Sequence, residues 1–314
     1  MVEAIARHSL ARTQNGTVQL HRLTQAVVAD QLTAPQREDA VRHAEALLTA
    51  AYPGTPGEPR WWSAWEVPIP HALAVDPACL TTSRGRDVVL HACWYLMDRG
   101  QPLPARERLQ RLYDVCLQQL GPDHDDTLKA ANDLARAYND TQDHERARAL
   151  DEDTLARLRR LYGDDHPDTL ASAHNLAVGL RARGRHEEAL ALDEKTLEVQ
   201  RRVLRVEHPA TLTAASNLAA DLAEVGRVEE AVVLGQETLE VRRRVLGVEH
   251  PDTRLTASNL AADLAEVGRV EEAMVLAQET LEARRRVLGE GHRDTLTSVD
   301  ALEWLKGLQD GEEA

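Results

Sequence analysis

The stretch GVEHPDTRLTASNLAADLAEVGRVEEA, residues 247–273, decides how the rest of the chain is read. Its last part, SNLAADLAEVGRVEEA from Ser258 to Ala273, stands unchanged from Ser216 to Ala231, one step of 42 residues earlier. The step extends well beyond this copy. His124, His166, His208, His250 and His292 keep it, as do Thr127, Thr169, Thr211, Thr253 and Thr295, and also Ala147, Ala189, Ala231 and Ala273. A fixed period without insertions means stacked structural units, each of which buries its apolar face only against a neighbour.

Within a unit the apolar spacing is helical. Leu218, Ala219 and Leu222 fall on one stripe. Gly226 interrupts it, with counterparts at Gly184 and Gly268, where a helix should stop. A second periodic run follows through Ala231, Leu234, Leu239 and Val245. Each unit therefore reads as a helix A, a tight turn and a longer helix B. The HPDT of residues 250–253 opens a helix A, with Pro in the first turn and Asp at the positive helix end. Ala147, Ala189, Ala231 and Ala273 are expected at the close crossing of A on B, where a larger side chain would overpack.

Composition agrees with closely packed helices. Hydrophobic residues make up 43% of the 314, aromatics only 3%, and Phe is absent, so the core must be Leu, Val and Ala. Strands favour β-branched and aromatic side chains instead. The net charge of -15 argues against a nucleic-acid partner and favours solubility. Cys79, Cys93 and Cys116 form no CxxC pair, so neither a disulfide framework nor a structural zinc site is expected. The start of the chain lacks the apolar run of a signal peptide, and no segment is long enough to span a bilayer. A cytoplasmic protein without a membrane partner is the expectation.

The periodic histidines lie in separate interhelix turns, too far apart to share a metal ion, and no cofactor is expected. Arg242, Arg243 and Arg244 read as a solvated helix end, with Glu240–Arg244, Glu198–Arg202 and Glu282–Arg286 as i, i+4 pairs. Neither HExxH nor GxSxG occurs, and His174, which shares a unit with Asp168, is Ser216 and Ser258 in the copies. No catalytic residue is expected.

The residues NLAxxLxxxGRxxEA, carried by 175–189, 217–231 and 259–273, resemble the tetratricopeptide repeat (TPR), in its 42-residue, kinesin-light-chain-like form. The first clear unit departs from the pattern with Asp133, Gln142 and Arg146, and a weaker one precedes it, with Gly100 and Ala105 in register. The resemblance implies an all-α, right-handed superhelical solenoid over residues 86–309: about five helix pairs and a capping helix after Thr295. It also implies that helix A lines the concave face.

Residues 1–33 lie outside the repeat. SLART and TVQLH flank Asn15-Gly16, a hairpin signal, with helices expected before it and near 23–32. Helix, hairpin and helix form a partial winged-helix segment, similar to the winged-helix end of bacterial NB-ARC ATPases of the STAND class. In that family a Met-His-Asp motif places a histidine near bound ADP. His21, within Leu20-His21-Arg22, is the matching residue, as a remnant nucleotide sensor; otherwise it merely ends the strand. The resemblance implies that Met1 begins in mid-domain. There is no G-x-x-x-x-G-K-[ST] sequence, so ATP hydrolysis is not expected. Residues 34–85 read as an amphipathic helix and a Pro-rich connection whose Trp61, Trp62 and Trp65 either plug the junction to the first repeat or form a binding hot spot.

The candidate binding residues lie on helix A opposite the buried stripe: Asn217, Asp221 and Glu224, repeated as Asn259, Asp263 and Glu266, with Asn175 in the preceding unit. The TPR resemblance implies that this face lines a groove and that its asparagines hydrogen-bond a peptide backbone. An amide offers both donor and acceptor for that task, and the acids beside it favour a basic ligand. The alternative is a face that only solvates the helices. The expected function is a non-enzymatic peptide- or protein-binding module, the sensor region of a STAND ATPase whose ATPase lobe is a second possible partner. A free-standing scaffold is the other reading.

Overall fold

A computed structural model describes residues 11–14, 17–20, 27, 30–54 and 62–312. The chain divides into two compact units, Met1–Gly121 and Pro122–Ala314.

In the first unit, strands β1 (Ala11–Gln14) and β2 (Thr17–Leu20) pair antiparallel, from Ala11 opposite Leu20 to Gln14 opposite Thr17. That register is the one a two-residue Asn-Gly loop requires. Asn15, Gly16, His21, residues 1–10 and most of the expected helix near 23–32 lie outside the described residues. Among the described residues the α-helices that follow are α1 (Ala34–Ala50), α2 (Trp62–Trp65), α3 (Pro68–Ala74), α4 (Ser83–Asp98) and α5 (Pro102–Leu120).

Trp65 is fully buried with Leu48, Ile69, Ala72, Val88, Ala92 and Tyr95, and its indole donates to the Gly54 carbonyl at 3.0 Å. Trp65 is therefore a plug; the side chains of Trp61 and Trp62 lie outside the described residues. Glu45 of α1 ties the same helices by accepting from the backbone and hydroxyl of both Thr81 and Thr82, at 2.6–3.1 Å. Burial pushes its pKa up, but these four hydrogen bonds outweigh burial and hold it below the ordinary value. A Cβ at Gly85 would overlap this carboxylate.

The pair α4–α5 has the repeat register expected from residue 86 and groups with Met1–Gly121, where α4 shares a core with α1, α2 and α3.

The second unit is a ladder of pairs: α6 (Asp125–Asp140) with α7 (His144–Tyr162), α8 (Pro167–Arg181) with α9 (His186–Val203), α10 (Pro209–Glu224) with α11 (Val228–Leu246), and α12 (Pro251–Glu266) with α13 (Val270–Leu288). Helix α14 (Arg293–Glu312) ends it. Each helix packs on the next in sequence. Ala147, Ala189, Ala231 and Ala273 are all fully buried, as the crossing requires. Leu218, Ala219, Leu222, Ala231 and Leu234 share one core with Leu197 of the preceding pair, so neighbours do complete each unit's core. Val245, expected in the helix-B stripe, is exposed.

The periodic histidines have a local task. Each Nδ1 of His124, His166, His208, His250 and His292 accepts from the backbone N–H two residues on, at 3.1–3.2 Å, capping the following helix A. The turn after each helix B has a left-handed residue, Gly163, Gly247 or Gly289, at φ 85–87°, but Arg205 takes φ 73° at the same position.

The arginine clusters are not simply a solvated helix end. Arg242 is buried, and its Nη1 donates to the Asp252 carbonyl at 2.8 Å and the Thr256 hydroxyl at 2.5 Å, tying α11 to α12. The expected i, i+4 partners are also replaced. Arg244 pairs with Glu207, Arg202 with Asp165 and Arg286 with Glu249, at 2.6–3.1 Å, each 37 residues upstream in the loop before helix A. These exposed pairs repeat with the fold but contribute little individually.

Candidate functional site

Within Pro122–Ala314, first helices approach one another directly, α6 with α8 and α10 with α12. Second helices do not pack on each other to that extent. First helices therefore occupy the tighter side of the stack, and α8 meets α10 there through His174–Asn217 and Arg181–Asp221.

The structure places the candidate residues on this surface unequally. Asn259, Glu224 and Glu266 are exposed, while Asn175, Asn217 and Asp263 are half-buried. Asn217 Nδ2 lies 3.3–3.4 Å from the ring nitrogens of His174 on the adjacent first helix. Burial, then the Arg181 cation, lowers the His174 pKa against the opposing charge of Asp221. The half-exposed Asn217 amide thus meets a neutral imidazole on one side and the open face on the other.

Asp221 needs correction. It is 0% exposed and accepts from Arg181 Nε, and from Nη2 at 3.1 Å. Arg181 Nη2 also donates to Asp193 of α9 at 3.2 Å. Asp193 is likewise 0% exposed, and burial, then the Asp221 charge, holds its pKa well above the carboxylate range despite Arg181. A single proton on the carboxylate pair leaves this cluster neutral with Arg181. Asp221 is a structural residue of the floor, because the neighbouring pair supplies its cation.

Sequence reasoning did not single out Arg181, Asp193 or Asp151. Asp151 occupies the position of Asp193 one unit earlier; it is 1% exposed and neither carboxylate oxygen has a hydrogen-bond partner. Burial raises its pKa to about 7, against the Arg183 cation. The available signal was the repeat itself: Asp151 and Asp193 align with Gly235 and Ala277, and Arg181 aligns with Ala223 and Ala265. An acid where copies carry Gly or Ala marks a buried polar floor.

Away from these acids the same face is small and apolar. Ala220 is half-buried, and Val178, Leu255 and Ala262 are exposed. At its end a crevice of about 240 Å³ is lined by Ser258, Ala262, Ala277, Ala301 and Trp304, the indole-bearing residue being 56% exposed. Among the described residues no group of three or more His, Cys, Asp or Glu is placed to hold a metal ion. No described helix is long and apolar enough to cross a membrane.

The chain belongs to the tetratricopeptide-repeat family: the family's model matches residues 95–159, 132–202, 168–244 and 210–285. No curated protein sequence matches it. Among solved structures it is similar to a Podosopora anserina putative kinesin light chain with nearly identical TPR-like repeats. That structure is 28% identical, with 67–68% of this chain and 96–98% of the other covered, at a TM-score of 0.56. NprR, a quorum sensor from B. thuringiensis solved with its cognate peptide NprX, is 15% identical over 92% of this chain and 77% of its own, at a TM-score of 0.56. PH0952 of Pyrococcus horikoshii, a STAND protein with a tetratricopeptide repeat sensor, is 14% identical over 94% of this chain and 47% of its own, at a TM-score of 0.54. At these low identities the last two speak for the fold alone.

Proposed function

We propose that the first-helix face of residues 122–314 binds an extended peptide or protein segment, without catalysis. The observation that carries this reading is the face itself. It repeats a partly open asparagine at Asn175, Asn217 and Asn259 over a strip of small apolar side chains, and it ends in the Trp304 crevice. Amides spaced along first helices suit the alternating donors and acceptors of an extended backbone. The exposed acids Glu224 and Glu266 favour a partner with basic residues, and such pairing weakens with salt.

Within that reading we place the chain as the sensor or autoregulatory region of a STAND-class ATPase, whose ATPase lobe is one partner for this face. The hairpin of β1 and β2 is consistent with a winged-helix remnant, in which His21, outside the described residues, is the candidate remnant nucleotide sensor. The 28% identity to the kinesin-light-chain structure favours a second reading, a free-standing scaffold. The reading frame upstream of Met1 separates the two: a P-loop encoded there supports the sensor, and a ribosome-binding site directly before Met1 supports the scaffold.

The binding surface is tested by comparing wild type with an Asn217→Ala/Asn259→Ala/Trp304→Ala variant in recovery of partners from native lysate, at low and high salt. Loss of a salt-sensitive partner from the variant is the expected result. Equal recovery by both proteins would remove this face as the recognition surface.

A further inference from the structure

Two crevices in Pro122–Ala314 are the same place one repeat apart. The first, about 380 Å³, lies among Arg201, Val206, Thr211, Leu212 and Val241. The second, about 330 Å³, lies among Arg243, Val248, Thr253, Arg254 and Ala283. Three of these five aligned positions keep their residue type. The other two change together: Arg254 replaces Leu212, and Ala283 replaces Val241.

Leu128, Leu170 and Leu212, at the position of Arg254, are buried core residues. Arg254 is buried as well, at 6% exposure, and its Nε and Nη1 are out of solvent without an acceptor. The shorter wall at Ala283 makes room for the longer side chain. Glu279 and Glu282 also line the crevice, and neither accepts from Arg254. Glu279 accepts from Arg243 at 2.7 Å, Glu282 from Gln278 at 2.9 Å, and Glu249 pairs with Arg286 at 3.1 Å. A further cation stands close by: burial lowers the pKa of Arg284, Asp294 raises it, and the charge of Arg254 adds a smaller lowering. A buried guanidinium without an acceptor is costly, and an anion is what relieves it.

We propose that this crevice is a binding site for a small oxyanion, a phosphate or carboxylate group whose oxygens accept from Arg254. The planar guanidinium matches either group through paired N–H donors. The neighbouring crevice has Leu212 at this position, and its one arginine, Arg201, is exposed and lies 3.7 Å from Glu237, so it serves as an internal control.

The experiment titrates the full chain with inorganic phosphate and, separately, with acetate, against sodium chloride at equal ionic strength, reading Tm and the heat of binding. Wild type is expected to show a saturable rise in Tm, and the anion that saturates first identifies the class of group. Arg254→Leu restores the neighbour's residue and should weaken binding about tenfold or more, the loss expected for charge-assisted hydrogen bonds. Ala283→Val restores the neighbour's wall and should weaken it too, which keeps the test open if Arg254→Leu does not fold. An unchanged affinity in the folded variants, or no saturable response of wild type to either anion, overturns the assignment.

Discussion

Asp193 and Gly235 occupy the same repeat position, one unit apart, and build opposite floors beneath the same face. Around Asp193, Arg181 bridges two fully buried carboxylates from neighbouring helices. Around Gly235 the arginine is Ala223, and a Cβ at Gly235 would lie only 3.2 Å from Leu260 Cδ1, so close packing replaces charge. The second floor retains one relic of the first. Asp263 aligns with Asp221, and burial, then Glu266, raises its pKa to about 6. The solenoid backbone accepts either solution, because capped and packed helices define each unit while the floor residues vary within it.

The comparison is most severely tested by Arg181→Ala, which copies the Ala223 arrangement onto a floor that still has Asp193 and Asp221. Stranding two buried acids should cost about 3–5 kcal/mol at neutral pH, read as a lowered midpoint in urea. A loss below about 1 kcal/mol would mean that the arginine does not hold this floor together.

Asp151 supplies the next largest effect. Its folded-state pKa of about 7 lies above the ordinary value of 3.8, so the folded protein binds the proton more tightly than the unfolded chain. Its contribution is therefore complete below about pH 4 and declines as pH rises toward and through 7. Asp151→Asn should stabilise by about 1–3 kcal/mol at pH 8 and by much less at pH 5. The same gain at both pH values would show that ionisation is not the cause.

Arg205 departs from its glycine counterparts in backbone rather than charge. Arg205→Gly should raise stability by about 1 kcal/mol, since the left-handed conformation strains any residue with a Cβ. A destabilised variant would mean that the side chain's own contacts outweigh that strain.

The smallest effect sharpens the comparison directly. Ala223→Arg gives Asp263 the cation that Arg181 gives Asp221, and should lower the Asp263 pKa from about 6 toward the ordinary range, by NMR titration. Stability should change by less than about 1 kcal/mol, because the pair remains half open. An Asp263 that still titrates near 6 would show that the two floors differ in backbone geometry as well as in side chains.

The amino-acid sequence by itself determined the period, the helix pairs, the buried alanines at their crossings and membership in the TPR family. All of these are local or strictly periodic, and each is repeated often enough to stand clear of chance. Tertiary structure alone decided which polar residues are buried and what they meet. Asp221 reads like Glu224 on a helical projection, yet one is sealed against Arg181 and the other is open. Arg242 and Arg243 are adjacent, yet one is buried against α12 and the other pairs on the surface with Glu279. The seating of α4 against α1 likewise depends on Glu45 and Trp65, upstream in sequence. Helical periodicity specifies the face on which a residue lies; its burial and charge depend on what a neighbouring element places across from it.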